Sequence, residues 1–553
     1  MILDLRTNGV LSIDQARLIT GLESEVRKEY NAFTEALCDA NDIQNLDWFY
    51  RVTSRNTYVS SIFDKMCRLA LLEKILEQKG TVQKILINSI ELKVPCEQII
   101  KKFHLVHPIA IECKDEMYKS KPVLGFIKCV SYFFLMIFAK FFFPPKARPK
   151  GDITYIDTFI DASTFKDNEE YNDRYFPNLL TYKSTIQIKD IWLVPVISGL
   201  KSIKQFWHVY RGIRASKENI LLMEHYLKIS DYLKAFKMAL FQKPLTKNPH
   251  WRGVDISELV QNEHKNDFCN VTLLLTVLRY YFFRRLADSN CNLKLVINFN
   301  ENQIIDRAII LGTRKNFPAT KINGYQGFVI APYYAAMFPQ SFEHKAGLLP
   351  DKFFVMGERL VERYKKDCPE LNIGVAPAYR FRALHEIERK QKADEILLAV
   401  LPYHIEPAID ILSLCLELQT SSELKYEIMI KIHPDFTSEQ LEKMLPKNLQ
   451  KQFKYTNEET PCLLARVKWL ISAASTVCVE AALLGVHTVV VGGRSGPAQN
   501  PLVDMISKDR WSLCYTVEDL KEALKENKTL TPLNIEDYFS KLTKKNENIL
   551  FDK

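Results

Sequence analysis

The sequence predicts an α/β protein made of two wound halves that face each other across a cleft, and three observations predict it. Two short segments about forty residues apart, Ile430–Asp435 (IKIHPD) and Leu470–Gly485 (LISAASTVCVEAALLG), are apolar runs that stop abruptly at small or polar residues. The second resumes with a helical pattern and reaches Val486–Gly492 (VHTVVVG), so the order is strand, turn, helix, strand. With 553 residues and 47% hydrophobic content, the chain is too long for one core and too apolar for disorder.

The elements follow in order. Val82–Asn88 reads as a strand, Cys96–Phe103 as part of a helix and Ile109–Cys113 as a second strand, which together make a βαβ unit. An insertion at 119–150 then breaks the soluble pattern. Leu124–Pro145 reads LGFIKCVSYFFLMIFAKFFFPP and is flanked by Lys119, Lys121, Lys146, Arg148 and Lys150. Its uninterrupted apolar run lies between Lys128 and Lys140, short of the ~20 residues a helix needs to cross a bilayer. A helix lying in the headgroup region suits it, with lysine stems snorkelling toward anionic lipid; a buried core helix is the alternative. Strands follow at Asp152–Asp157, Ile191–Ile197, Leu293–Asn298 and Ala319–Gly324, with helical patterns at 217–240 and 268–287 and a helix from near Gln303. The first domain is therefore placed at 1–350. The second, 351–530, opens with the strand Lys352–Gly357 and continues with strands at 395–401, 426–432, 467–472 and 486–492. A tail, 531–553, is expected to pack back on the first domain.

Composition narrows the function. Twelve cysteines without a C-x-x-C pair argue for a reducing compartment, and the start MILDLR has no secretory pattern, so a cytoplasmic protein peripheral to the inner face of the membrane is expected. The net charge of +9 is spread rather than massed in tracts, and nucleic acid is not an indicated partner. Metal-ligand spacings such as H-x-x-x-H are missing, as is a clear strand-end D-x-D, so a metal-independent reaction without a cofactor is expected.

Ser472, Ser475 and Thr476 fall where a strand gives way to a helix N-terminus, a place that favours an anion such as a nucleotide phosphate. His433 ends a strand ahead of Pro434, which forces an extended or turn conformation and turns the ring toward a ligand or into a structural contact. Glu480 lies one helical turn beyond Thr476, on the same face, where it can accept from ribose hydroxyls or sit on the surface. Arg494, in the run Gly492–Gly496, offers a fork for phosphate unless the run is a plain loop.

These segments carry a resemblance. Ser475–Gly485 followed by Val486–Val491 is similar to the donor-domain segment with which bacterial GT-B glycosyltransferases hold the nucleotide. Lys431–Pro434 with the downstream Ser/Thr element resembles the His-Pro and Ser/Thr motifs of bacterial sialyltransferases and capsule Kdo transferases. It covers about residues 290–520; residues 1–290 resemble surface-carbohydrate biosynthesis proteins only distantly, at Ser54–Asn56 and Asp157–Phe159. The resemblance implies two Rossmann-like domains facing a cleft and a histidine and hydroxyls that grip the phosphate of CMP. It also implies transfer of a CMP-activated acidic sugar to a surface polysaccharide or lipid-linked acceptor; the Phe- and Lys-rich insertion makes an anionic membrane surface a further expected partner. A CDP-glycerol-type polyol-phosphate transferase, a sugar-nucleotide 2-epimerase and a non-catalytic membrane-associated assembly protein are the alternatives.

Glycosyl transfer needs a carboxylate near the acceptor hydroxyl. Glu301 leaves the strand Leu293–Asn298 in the turn Asn298–Asn302 and is the first candidate; the alternative reading has Asn300 or Asn302 capping the next helix, with Glu301 only favouring its N-terminus. Asp157 and Asp161, at the end of a first-half strand, follow. Arg55 and Asn56 are read as a grip for an acidic acceptor or as a helix entry, and Lys321–Gly327 as a glycine-bearing wall of the cleft.

Overall fold

Strands buried on both faces read as near-continuous apolar runs, and the computed structural model bears this out at Val467–Ser472 and His487–Val491. It describes the chain except residues 8, 105–107, 114–121, 166–170, 178, 180–189, 201, 248–249, 389–393, 422–425, 526–529 and 553. Three sheets form, and the pairings within them are parallel. The first has the order β1-β2-β3, from β1 (Ile2–Asp4), β2 (Lys84–Ile87) and β3 (Ala110–Cys113). The second has the order β5-β4-β6-β7-β8-β9, from β4 (Gly151–Ile160), β5 (Ile191–Ile197), β6 (Cys291–Phe299), β7 (Lys321–Tyr325), β8 (Lys352–Val355) and β9 (Ile373–Val375). The third has the order β12-β11-β10-β13-β14-β15, from β10 (Asp394–Val400), β11 (Glu427–Lys431), β12 (Tyr455–Thr456), β13 (Val467–Ser472), β14 (His487–Val491) and β15 (Trp511–Cys514). Two six-stranded parallel sheets thus make up the two halves that the sequence predicts.

The structure departs from the sequence reading at several places. The βαβ unit at 82–113 does not extend the first six-stranded sheet; β2 and β3 pair with each other and with β1 in a small sheet of their own. Lys352–Val355 does not open the second half, because β8 pairs with β7, and that sheet runs on to Val375. Of the pattern at 217–240 only Ile229–Leu240 is an α-helix, preceded by a short turn at Met223–His225. A helix that the sequence reading did not place, Ile203–Ala215, comes before it, its Ser202 side chain accepting from Gln205 N. Gly324 and Gly327 line no cleft: a Cβ on Gly324 would lie 2.7 Å from Pro350, and one on Gly327 2.6 Å from the Tyr325 ring, so these glycines make room for core side chains. The last residues return to the first half, where Asn323 Nδ2 donates to Leu550 O at 2.9 Å and Phe539 stacks on Phe381.

One buried apolar cluster runs from Tyr325, Phe353 and Met356 of the first half into Leu398, Leu470 and Val479 of the second. A polar bolt joins the N-terminal helices to the first half. Arg55, held at φ 53°, is fully buried and pairs with Glu343 at 2.7 Å, while Arg307 bonds the other Glu343 oxygen. Arg55 also donates to Asn31 Oδ1 and to the Ala335 and Phe338 carbonyls. It is therefore a structural arginine, not a grip for an acceptor, and Asn56 forms a turn by accepting from Tyr58 N.

Within the basic-flanked insertion Pro122–Phe142 forms one helix, which runs through Lys128 and Lys140 and so, contrary to the expectation from the run between them, is long and apolar enough by length and composition to cross a membrane. One face lies on the protein body. Cys129, Met136 and Ala139 are buried, Cys129 Sγ donates to Cys269 O, and a Cβ on Gly125 would lie 2.8 Å from that same carbonyl. Phe133 packs on Tyr232 and Phe236, and Phe138 on Phe206 and Trp207, so the helix is flanked by Ile203–Ala215 and Ile229–Leu240. Phe134, Phe141, Phe142, Ile203, Ile229, Leu233 and Phe241 are each more than half exposed. Lys119 and Lys121 lie outside the described residues.

Candidate functional site

In an open parallel sheet, the crevice for a ligand forms at the carboxyl ends of two neighbouring strands whose chains leave in opposite directions. The order β5-β4-β6 puts that point between β4 and β6 in the first half; the order β11-β10-β13 puts it between β10 and β13 in the second. Asp161 and Glu301 follow β4 and β6. Tyr403 and His404 follow β10, Ser475 and Thr476 follow β13, and His433 follows β11 beside them.

On the first-half side, Glu301 stands at the rim, half-buried, with its carboxylate accepting from Gln303 Nε2. Burial, with the nearby Asp306 carboxylate, pushes its pKa up to about 7, while the Gln303 hydrogen bond and the Arg380 guanidinium oppose the rise. Asp306 caps its own helix by accepting from Glu301 N and Gln303 N at 3.1 and 2.8 Å. The capping carboxylate is thus Asp306, rather than the amides of Asn300 or Asn302. Asp157 lies outside the site. It is fully buried, Asn298 Nδ2 bridges it to Asp306 at 3.0 Å, and burial pushes its pKa well up. Asp161 is used by its own turn, accepting from Ser163 N at 2.7 Å and Ser163 Oγ at 2.6 Å, which hold its pKa below the ordinary value against the effect of burial.

On the second-half side, His433 Nδ1 accepts from Asp435 N at 3.2 Å, so the proton of the neutral ring sits on Nε2. Burial lowers its pKa, against the pull of Asp435. Pro434 is exposed beside it, and the Tyr403 ring meets the imidazole at 5.6 Å between centroids. The three hydroxyls separate. Ser472 is buried and donates to Val400 O at 2.7 Å; Thr476 reaches across the cleft to Val329 O at 3.1 Å. Both are committed to protein carbonyls. Ser475 Oγ accepts from Val477 N at 3.4 Å, which leaves its proton free to donate. The helix behind them, Val477–Leu483, has seven residues, so it contributes little dipole. Glu480 is half-buried, and burial pushes its pKa up to about 7 against the Arg380 guanidinium. Arg494 points elsewhere, its Nε donating to Leu11 O at 2.8 Å.

Glu301 thus stands on one edge and His433, Ser475 and Glu480 on the other, and the charge of Arg380 acts on both glutamates. Arg174, in the segment after β4, pairs with Asp435 at 3.7 Å across the cleft. The sequence reading missed Arg380, Arg174, Tyr403 and Tyr58. Tyr58 stacks on Tyr334 at 4.2 Å, and Tyr334 in turn bonds Gln499 of the second half. Tyr403 and His404 were open to detection, since they directly follow a predicted strand end; Arg380 was not, because only the fold brings its segment to the cleft. Among the described residues no three His, Cys, Asp or Glu side chains group to hold a metal ion.

Neither a protein-family profile nor any curated protein sequence matches this chain. Solved structures are similar in fold. A protein described as a UDP-N-acetylglucosamine 2-epimerase from Listeria monocytogenes matches at 13% identity over 71% of this chain and 94% of its own, with a TM-score of 0.40. The lipopolysaccharide outer core galactosyltransferase WaaB matches at 13% over 72% and 99%, TM-score 0.38. The MnaA protein of S. aureus, solved with UDP, matches at 9% over 68% and 87%, TM-score 0.36. Identities and scores this low assign no activity; the chain is an α/β protein of two parallel six-stranded sheets about a cleft.

Proposed function

We propose that the protein is a glycosyltransferase that moves a sugar from a nucleotide donor, CMP carrying an acidic sugar, to a saccharide or lipid-linked acceptor of a surface polysaccharide. The observation that carries this reading is the placement of Glu301 after β6 in one six-stranded sheet and of His433, Ser475 and Glu480 after β11 and β13 in the other, at the strand ends beside the crevices; burial raises both glutamates to about 7 against the field of Arg380. A base with a pKa near the working pH suits proton removal from a hydroxyl. In the proposed step the acceptor oxygen bonds to the anomeric carbon and its proton passes to Glu301. The bond from that carbon to the donor phosphate breaks, and its electrons stay on the phosphate. His433 Nε2–H and the Ser475 hydroxyl donate to that phosphate, Glu480 accepts from the ribose, and Arg380 rather than a divalent ion balances the charge. Thermal stabilisation by CMP, CDP, UDP and GDP tests the donor site. CMP is expected to act most strongly, a ligand at 100 times its Kd adding about 2.7 kcal/mol. Alanine at His433 or Ser475 should weaken nucleotide binding by about 1–3 kcal/mol with the fold intact. No stabilisation by any of the four would refute the reading.

The same reading places the protein on the inner face of the membrane. The outer apolar faces of Pro122–Phe142, Ile203–Ala215 and Ile229–Leu240 adjoin, and the occupant that fits them is an anionic lipid surface. Exposed Lys128, Lys204, Arg211, Arg214, Lys234 and Lys237 rise from these helices, whose one acid, Asp231, is buried and paired with Arg285. Such cations gain about 1 kcal/mol each near an anionic leaflet. Sedimentation with liposomes should require anionic lipid and weaken with salt, and serine at Phe134, Phe141 and Leu233 together should release the protein. Equal recovery in the supernatant with neutral and anionic liposomes would return these helices to another partner.

A further inference from the structure

A chamber of about 940 Å³ opens where the carboxyl ends of β1 and β2 meet the second half. Thr7, Asn88 and Ser89 come from the small sheet; Ala473, Ala474 and Gly493 come from the third sheet at β13 and β14. Parallel sheets collect ligands at their carboxyl edges, and here two such edges converge on one cavity. Its other walls are Tyr58 to Ser61 and the helix Ile405–Thr420 that follows β10.

The chemistry of the wall is one-sided. Five carboxyl side chains line it, Asp64, Glu91, Glu263, Glu406 and Asp410, against two cations, Arg51 and Lys65. Both cations are engaged, Arg51 with Asp267 at 3.3 Å and Lys65 with Glu91 at 3.6 Å. Glu263 is 4% exposed; its Oε1 accepts from Ser61 N and Ser61 Oγ at 3.1 and 2.7 Å. Its Oε2 has no hydrogen-bond partner among the described residues, and neither do Asn88 Oδ1 and Ser89 Oγ. Buried polar atoms are normally satisfied. The Glu263 and Asn88 oxygens can only accept, the Ser89 hydroxyl can accept or donate, and Arg51 Nε is a donor on the same wall that also lacks a hydrogen bond among the described residues, although its guanidinium is paired with Asp267. A phosphate or carboxylate entering the chamber would meet five carboxyl groups against two cations already paired with acids. A hydroxyl-rich ligand without negative charge supplies the donors, and the half-exposed Tyr58 ring offers a flat face to its C–H side.

We infer that the chamber binds a saccharide that is uncharged or carries an amine, with Glu263, Asn88 and Ser89 accepting from its hydroxyl or ammonium groups. Ala474 adjoins Ser475, and Tyr58 feels the charge of Glu301, so the bound saccharide lies next to the proposed donor site. Its role as acceptor rests on the transferase reading; its binding does not. Calorimetry on the full chain without nucleotide tests it, with a chitosan tetramer, its fully N-acetylated counterpart and tetragalacturonate as probes. The first two should bind, and the anionic tetramer at least about tenfold more weakly. Glu263→Gln keeps an oxygen for Ser61 but puts an amide NH₂ at the Oε2 position, and Asn88→Ala removes the second acceptor. Affinity for the chitosan tetramer should fall about tenfold in the first and measurably in the second, with CMP binding and the melting temperature unchanged. Should Glu263→Gln misfold, Asn88→Ala and Ser89→Ala decide alone. Binding of neither uncharged nor amine-bearing tetramer, preference for the anionic one, unchanged affinity in the variants, or loss of CMP binding in them would overturn the inference. Absence of nucleotide binding in the native protein would strike the transferase reading and leave this result standing.

Discussion

Glu343→Ala is expected to lower folding stability by about 3–5 kcal/mol, because it strands two fully buried guanidinium groups, Arg55 and Arg307, without their shared carboxylate. Ionised groups out of water are tolerated only when paired and hydrogen-bonded. Here the remaining partners are carbonyls and the Asn31 amide, which cannot neutralise two positive charges. Asn302 Nδ2 also donates to Glu343 at 3.0 Å, so the loss reaches the turn that carries Glu301. Urea titration followed by far-UV circular dichroism reads the effect as a drop in midpoint. A loss below about 1 kcal/mol, the size expected of a surface pair, would mean that the bolt is not what joins the N-terminal helices to the first half.

Glu301→Gln is expected to cut turnover by roughly 10²-fold or more while leaving CMP affinity nearly unchanged, since the amide keeps the shape and loses the base. The pH profile provides a second signature. With its pKa raised to about 7, Glu301 is the active carboxylate above that value and a protonated acid below it. The native rate should therefore fall as pH drops through about 7, and this limb should vanish from the residual rate of the variant. Turnover close to the native value would remove Glu301 from the reaction. Asp161 could inherit the role only through its other oxygen, because Oδ1 is held by Ser163 and Thr164.

What the sequence disclosed follows from what local patterns encode. β13 and β14 were readable because their strands are almost wholly buried and bounded by small residues. The three-residue β1 and β9 are too short to generate a period, and without β1 nothing signalled that β2 and β3 form a separate sheet. An apolar run such as KFFV at β8 announces a strand and not its neighbour, so its allegiance to β7 was invisible. At the site, position was legible and commitment was not. Ser472 and Thr476 do stand at a strand end, but the carbonyls of Val400 and Val329 that occupy them lie 72 and 147 residues away in the chain. Arg55 and Glu343 are 288 residues apart, a pairing no spacing could suggest.

The apolar cluster that joins Tyr325 and Met356 to Leu398 and Val479 limits how such a protein can be recombined. An interface that is continuous core, rather than a wet contact between independent units, ties the two halves into one heritable block. Exchanging the second half for that of another protein would leave a mismatched seam unless the facing residues travelled with it. Preference at the proposed donor site is therefore more open to change through loop residues at the strand ends, such as Tyr403 and His433, than through exchange of a whole half.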